Sequence, residues 1–105
     1  MTVKSRREQI EAMLQEDPGD PFLNYGLAME YISAGDDAEA VRRFQQLFAV
    51  APDYVPAYLQ TGQALVRLNR SGDARAILQR GLDVAHKQRD QHAWDEMRAL
   101  LDTLG

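Results

Sequence analysis

The chain has 105 residues, 45% of them hydrophobic, with 12 basic and 16 acidic side chains and a formal net charge of −4. That length suits one domain with its own core. The absence of cysteine excludes disulfides, thiolate zinc sites, iron–sulfur clusters and a thiol nucleophile. The charges are interspersed, and no segment approaches the ~20 apolar residues of a membrane span or resembles a signal-peptide core. A nucleic-acid surface and membrane insertion are therefore not expected, and a cytoplasmic location is.

Breakers punctuate the chain at Asp17-Pro18-Gly19-Asp20-Pro21, Ala34-Gly35-Asp36-Asp37, Pro52-Asp53 through Pro56, and Asn69 to Gly72. Between them run segments with apolar residues at helical spacing. The first carries Ile10, Met13 and Leu14, and the second Leu27, Met29, Tyr31 and Ile32. Val41, Phe44, Leu47, Phe48 and Val50 mark the third, and Tyr58, Leu59, Leu65, Val66 and Leu68 the fourth. Ile77, Leu78, Leu82 and Val84 follow, then Trp94, Met97, Leu100, Leu101 and Leu104. Strand-type alternation is absent. The pattern predicts an all-α chain of about six helices.

The sequence also repeats. A shift of 34 residues brings Pro18 onto Pro52, Asn24 onto Tyr58, Ala28 onto Gly62 and Tyr31 onto Leu65. The same shift aligns Ala40 with Ala74, Phe44 with Leu78 and Phe48 with Leu82. Small residues meet small ones and large apolar residues meet large apolar ones, the mark of a stacked-repeat architecture.

These residues resemble the tetratricopeptide repeat, a helix–turn–helix unit with the pattern W-x2-L-G-x2-Y…A-x3-F…P. The first full unit reads Asn24-x2-Leu27-Ala28-x2-Tyr31, Gly35, Ala40-x3-Phe44, Pro52. The second reads Tyr58-x2-Thr61-Gly62-x2-Leu65, then Ala74-x3-Leu78, with His86 in place of the proline. A third first helix starts two residues late as Trp94-x2-Met97-Arg98-x2-Leu101, and Ile10, Met13, Leu14 and Pro18 match the second half of a preceding unit. The resemblance implies a single domain, a right-handed superhelical stack of antiparallel helix pairs. It would comprise an N-terminal half-repeat (1–20), repeats at 21–54 and 55–88, and a capping helix at 89–105.

On this reading Ala28 and Ala40, and Gly62 and Ala74, lie where paired helices cross, with Tyr31, Phe44, Leu65 and Leu78 as knobs beside the crossings. Gly35 suits a left-handed helix C-terminus. Asp36 or Asp37, and Ser71 or Asp73, are expected caps, while Pro18 and Pro52 stop the helices before them. Two departures stand out. Arg98 follows no crossing rule because no second helix is expected after it, and Arg6 occupies a position where a small residue belongs.

Catalytic constellations are not expected. His86 and His92 are six residues apart, a poor spacing for two ligands on one helix face. The carboxylate pairs Asp36-Asp37, Asp95-Glu96 and Glu16-Asp17 read as helix-end charges rather than acid–base dyads. No phosphate loop, nucleophile elbow or HExxH motif occurs. No catalytic residue, cofactor or metal is therefore assigned, and the chain is not expected to be an enzyme.

The resemblance implies instead a concave groove lined by first helices. Its lining would be Phe22, Tyr25, Met29 and Ile32, then Leu59, Gln63, Val66 and Arg67, then His92, Asp95, Ala99 and Asp102. An apolar end could accept Leu or Met anchors from a peptide or partner helix, with Arg67 and Asp95 as rim charges. Phe22, Tyr25 and Met29 can alternatively pack on the N-terminal helix around Ile10 to Leu14. They can also form a homodimer interface, and a regulatory subunit of a larger complex would need no groove peptide. A chaperone-type carboxylate clamp is disfavoured, because only Arg67 and Asn24 are of suitable type.

Overall fold

The structure is a computed structural model that describes residues 3–105. Six helices follow one another: α1 (Arg6–Glu16), α2 (Pro21–Ser33), α3 (Asp37–Val50), α4 (Val55–Arg67), α5 (Ser71–Lys87) and α6 (Gln91–Thr103). No strand occurs among the described residues. The chain forms two compact units, the first ending at Pro52 and the second beginning at Asp53.

In the first unit, local chemistry sets each helix start. Ser5 opens α1 with a capping box: its hydroxyl accepts from the Glu8 N–H at 3.2 Å, and the Ser5 N–H donates to the Glu8 carboxylate at 3.3 Å. Asp20 caps α2 by accepting from the Leu23 N–H, with Pro21 preset for the first turn. Asp36 caps α3 by accepting from the Glu39 N–H, and Asp37 and Glu39 place negative charge in its first turn. The C-caps of α1 and α3 are Asp17 and Ala51, the residues before Pro18 and Pro52, where a following proline disfavours helical backbone.

The core of this unit includes Ile10, Leu27, Ala28, Ala40, Val41, Phe44, Leu47 and Phe48. Phe44 and Leu47 are completely buried, worth roughly 1.5–3 kcal/mol each. Tyr31 departs from expectation: it is half-buried rather than a core knob. Its ring lies under two guanidinium groups, those of Arg7 at 5.4 Å and Arg43 at 5.6 Å. Cations from α1 and α3 thereby clasp an aromatic ring of α2.

In the second unit, α6 packs on α5 and also meets α4. Ala74, Leu78, Ala85 and Met97 are fully buried, and Tyr58 and Thr61 nearly so. The Thr61 hydroxyl donates to the Ala57 carbonyl at 2.7 Å, which satisfies it inside the core. Leu78 presses on Gly62 so closely that a Cβ there would stand 2.6 Å from its Cδ2 and 2.8 Å from its Cγ. The small residue is thus required by the helix crossing.

The expected caps of α5 need correction. Its N-cap is Arg70, with no side-chain capping bond; Ser71 is already the first helical residue. Asp73 instead receives Arg70 Nε at 2.9 Å. The carboxylate pairs are also corrected in part. Glu16 and Asp17 stand at a helix C-terminus, and Asp95 and Glu96 lie beyond the first turn of α6. Asp95 accepts from Gln91 at 2.8 Å and Glu96 pairs with His92 at 2.8 Å.

Three turns close the same way. Asp36, Arg70 and Asp90 each donate a backbone N–H five residues back, to the carbonyls of Tyr31, Leu65 and Ala85, at 2.9 Å. The residue before each lies in the left-handed region: Gly35 (φ 78°), Asn69 (φ 59°) and Arg89 (φ 57°).

Candidate functional site

In the first unit, the faces of α1 and α2 enclose an open apolar cavity of about 240 Å³, lined by Arg6, Gln9, Ile10, Met13, Phe22, Leu23 and Gly26. Phe22 is 73% exposed and Met13 49% exposed, so neither is core. Of the other expected lining residues on α2, Met29 and Ile32 are half-buried. Tyr25 turns its ring toward Phe44 of α3, with centroids 6.0 Å apart and planes at 53°. Phe22 and Tyr25 therefore meet different helices. Asn24 is committed elsewhere: its amide donates to the carbonyls of Pro18 at 3.0 Å and Asp20 at 2.8 Å, tying down the α1–α2 turn.

In the second unit, Leu59, Gln63 and Val66 are half-buried on α4, and Arg67 is exposed in its last turn. Their spacing of three or four residues puts them on one side of the helix. On α6, His92, Asp95, Ala99 and Asp102 are exposed. Asp95 accepts from Gln91, and Asp102 pairs with Arg98 at 3.1 Å.

A second cavity in this unit, about 400 Å³, opens at the α5–α6 turn among Ala85, His86, Arg89, Asp90, Gln91 and Trp94. His86 is exposed there, beyond the last core residue of α5. The repeat pattern placed Trp94 at the start of the third first helix and His86 where a proline would stand, but nothing in it pointed to this cleft. Gly81 was also missed. It stands one period after Leu47, yet a Cβ on it would lie 2.7 Å from Tyr58 Cβ and against the Met97 sulfur. This glycine is where α4, α5 and α6 meet.

Burial raises the Tyr58 phenol above its ordinary value, with the nearby Arg80 guanidinium opposing that shift. Among the described residues, no three His, Asp or Glu side chains gather as a metal site would require. Nor is any helix among them long and apolar enough to cross a membrane.

Comparison with known proteins agrees with this architecture. The tetratricopeptide repeat family model matches residues 31–101. A TPR repeat-containing protein of Pseudomonas aeruginosa is 29% identical over 97 residues, covering 92% of each chain. The crystal structure of a tetratricopeptide repeat domain protein from Salinibacter ruber superposes with a TM-score of 0.76 at 30% identity. That match covers 81% of this chain and 94% of the other. The solution structure of a protein from Bordetella parapertussis shares the fold at a TM-score of 0.85 and 24% identity, over 97% of this chain and 89% of that one. With six helices, a 34-residue period and a family match over two thirds of its length, the chain belongs to the tetratricopeptide repeat family.

Proposed function

We propose that this chain binds a protein partner, receiving a peptide or a partner helix on the exposed faces of its first helices. Tetratricopeptide repeats are in general protein-interaction modules rather than catalysts, so this refines a family property. The residues assigned are Phe22, Tyr25 and Met29 in the first unit, and Leu59, Gln63, Val66, Arg67 and Asp95 in the second. The observation that carries the reading is that Met29 on α2, and Leu59 and Val66 seven residues apart on α4, are apolar side chains left partly open to solvent. Such side chains suit apolar anchors, while Arg67 and Asp95 set orientation by charge. The partner is met in the cytoplasm, a compartment that a cysteine-free chain suits.

The test is comparative capture from a cell lysate with mass spectrometry. Baits are the wild type, a Tyr25→Ala Leu59→Ala variant, a Met29→Gln Leu59→Gln variant that leaves the Tyr25–Phe44 contact intact, and a Gln79→Ala control. A partner held by wild type and control, and at least about tenfold depleted on both double variants, supports the reading. Equal recovery by folded double variants refutes it.

A further inference from the structure

The repeat relates α1 to α3: Arg6, Ile10 and Met13 stand one 34-residue period before Ala40, Phe44 and Leu47. In α3 all three are completely buried. In α1 only Ile10 is buried; the Arg6 side chain is 82% exposed and Met13 is 49% exposed. Among the described residues no helix precedes α1 to cover this face. A helix packed as closely as α2 packs on α3 would not fit here, because Arg6 replaces a fully buried alanine. Whatever covers the face must meet a guanidinium at one end.

The face supplies its own complement. Arg6, Gln9, Met13 and Glu16 recur every three or four residues and form one stripe along α1. The stripe is cationic at its N-terminal end, uncharged in the middle, where Gln9 and Met13 stand, and anionic at its C-terminal end. Turned end for end about the helix midpoint, it matches itself. Arg6 then opposes Glu16 of a second copy, and Gln9 opposes Met13. Neither charge is strongly engaged within the chain: Arg6 reaches only Glu30, at 3.8 Å, and Glu16 has no ion pair among the described residues. Phe22 also lines the open apolar cavity of about 240 Å³ that borders the stripe, so a ring from a second copy would meet Ile10, Met13 and Leu23 there.

We propose that this face is a homodimer interface. A second copy packs its α1 antiparallel to the first, with two Arg6–Glu16 pairs across the two-fold axis and each Phe22 ring in the other's cavity. Phe22 is shared with the proposed partner-binding set, but Met29, Leu59 and Val66, which carry that reading, are not part of this face. Either reading can fail alone.

Sedimentation velocity from micromolar to millimolar concentration tests the interface. The proteins are wild type, Phe22→Ser, Arg6→Glu, Glu16→Arg, and an equimolar mixture of the last two. All three substitutions sit on exposed side chains, and both charge reversals suit the helix dipole, so far-UV circular dichroism should be unchanged. Wild type should dimerise reversibly, more weakly at high salt. Phe22→Ser should be monomeric, and each charge reversal should weaken dimerisation at least about tenfold by replacing two attractive contacts with repulsive ones. Mixing the two reversals should restore a dimer, because both contacts become attractive again. A wild type that stays monomeric overturns the proposal and leaves the face to another partner. So does a folded Phe22→Ser variant that dimerises like wild type, or a mixture that associates no better than its components.

Discussion

Gly81 tests how tightly the second unit is closed. Replacing it with alanine gains about 1 kcal/mol of helix propensity within α5. Against that, the new methyl would stand 2.7 Å from Tyr58 Cβ and 3.1 Å from its Cγ, and would run into the Met97 sulfur. Met97 is flexible and can swing aside. The Cβ of Tyr58 cannot, because it is fixed to the α4 backbone, so α4 and α5 must move apart. Overpacking of this kind costs about 1–3 kcal/mol in local contacts. Tyr58 is 1% exposed and Met97 wholly buried, which puts this site at the upper end and the net loss at about 1–2 kcal/mol. Gly26→Ala is the matched control. Its Cβ would make an ordinary contact with Ile10 Cδ1 at 3.6 Å, so the propensity gain should survive as about 0.5–1 kcal/mol of added stability. Urea titrations followed by circular dichroism would show midpoints moving in opposite directions. A Gly81→Ala protein as stable as wild type would refute the close α4–α5–α6 junction.

Arg89 holds a left-handed backbone (φ 57°), where an L side chain costs about 1–2 kcal/mol. Arg89→Gly should therefore raise stability by up to about 1 kcal/mol in the same titration, while Gly35→Ala, at φ 78°, should lower it by a similar amount. Ser5→Ala removes the α1 cap and should cost about 1 kcal/mol, read as faster amide exchange in the first turn. The Ser5 N–H and hydroxyl hold the Glu8 carboxyl below its ordinary value. The associated stability is present above the ordinary carboxylate range and is lost as pH falls through the lowered folded value. In Ser5→Ala, Glu8 should titrate higher by NMR; an unchanged midpoint would count against the capping box.

Much of the fold was legible because helix boundaries are written in local chemistry. Asp36, an expected cap, accepts from the Glu39 N–H, and Asp20 and Asp90, not singled out as caps beforehand, accept in the same way from N–H groups three residues on. The missed cap at α5 has a local reason too: Ser71 has a suitable hydroxyl, but the helix begins one residue earlier than it would need. The lining residues were less legible. Helical spacing groups Phe22, Tyr25 and Met29 on one side of α2, yet it does not say which neighbouring helix each side chain meets.

The sequence alone determined the helix count, the 34-residue period and the small residues at the helix crossings. The helix count follows from backbone capping and apolar spacing, which act over a few residues; the period comes from comparing the sequence with itself, and the resemblance to the tetratricopeptide repeat placed the small residues. Only the tertiary structure decided that Tyr31 lies beneath two arginines, that Gly81 is the junction of three helices, and that Arg6, Met13 and Phe22 stay open to solvent. Each of those depends on which faces distant segments bring together, and burial is a property of neighbours rather than of residues.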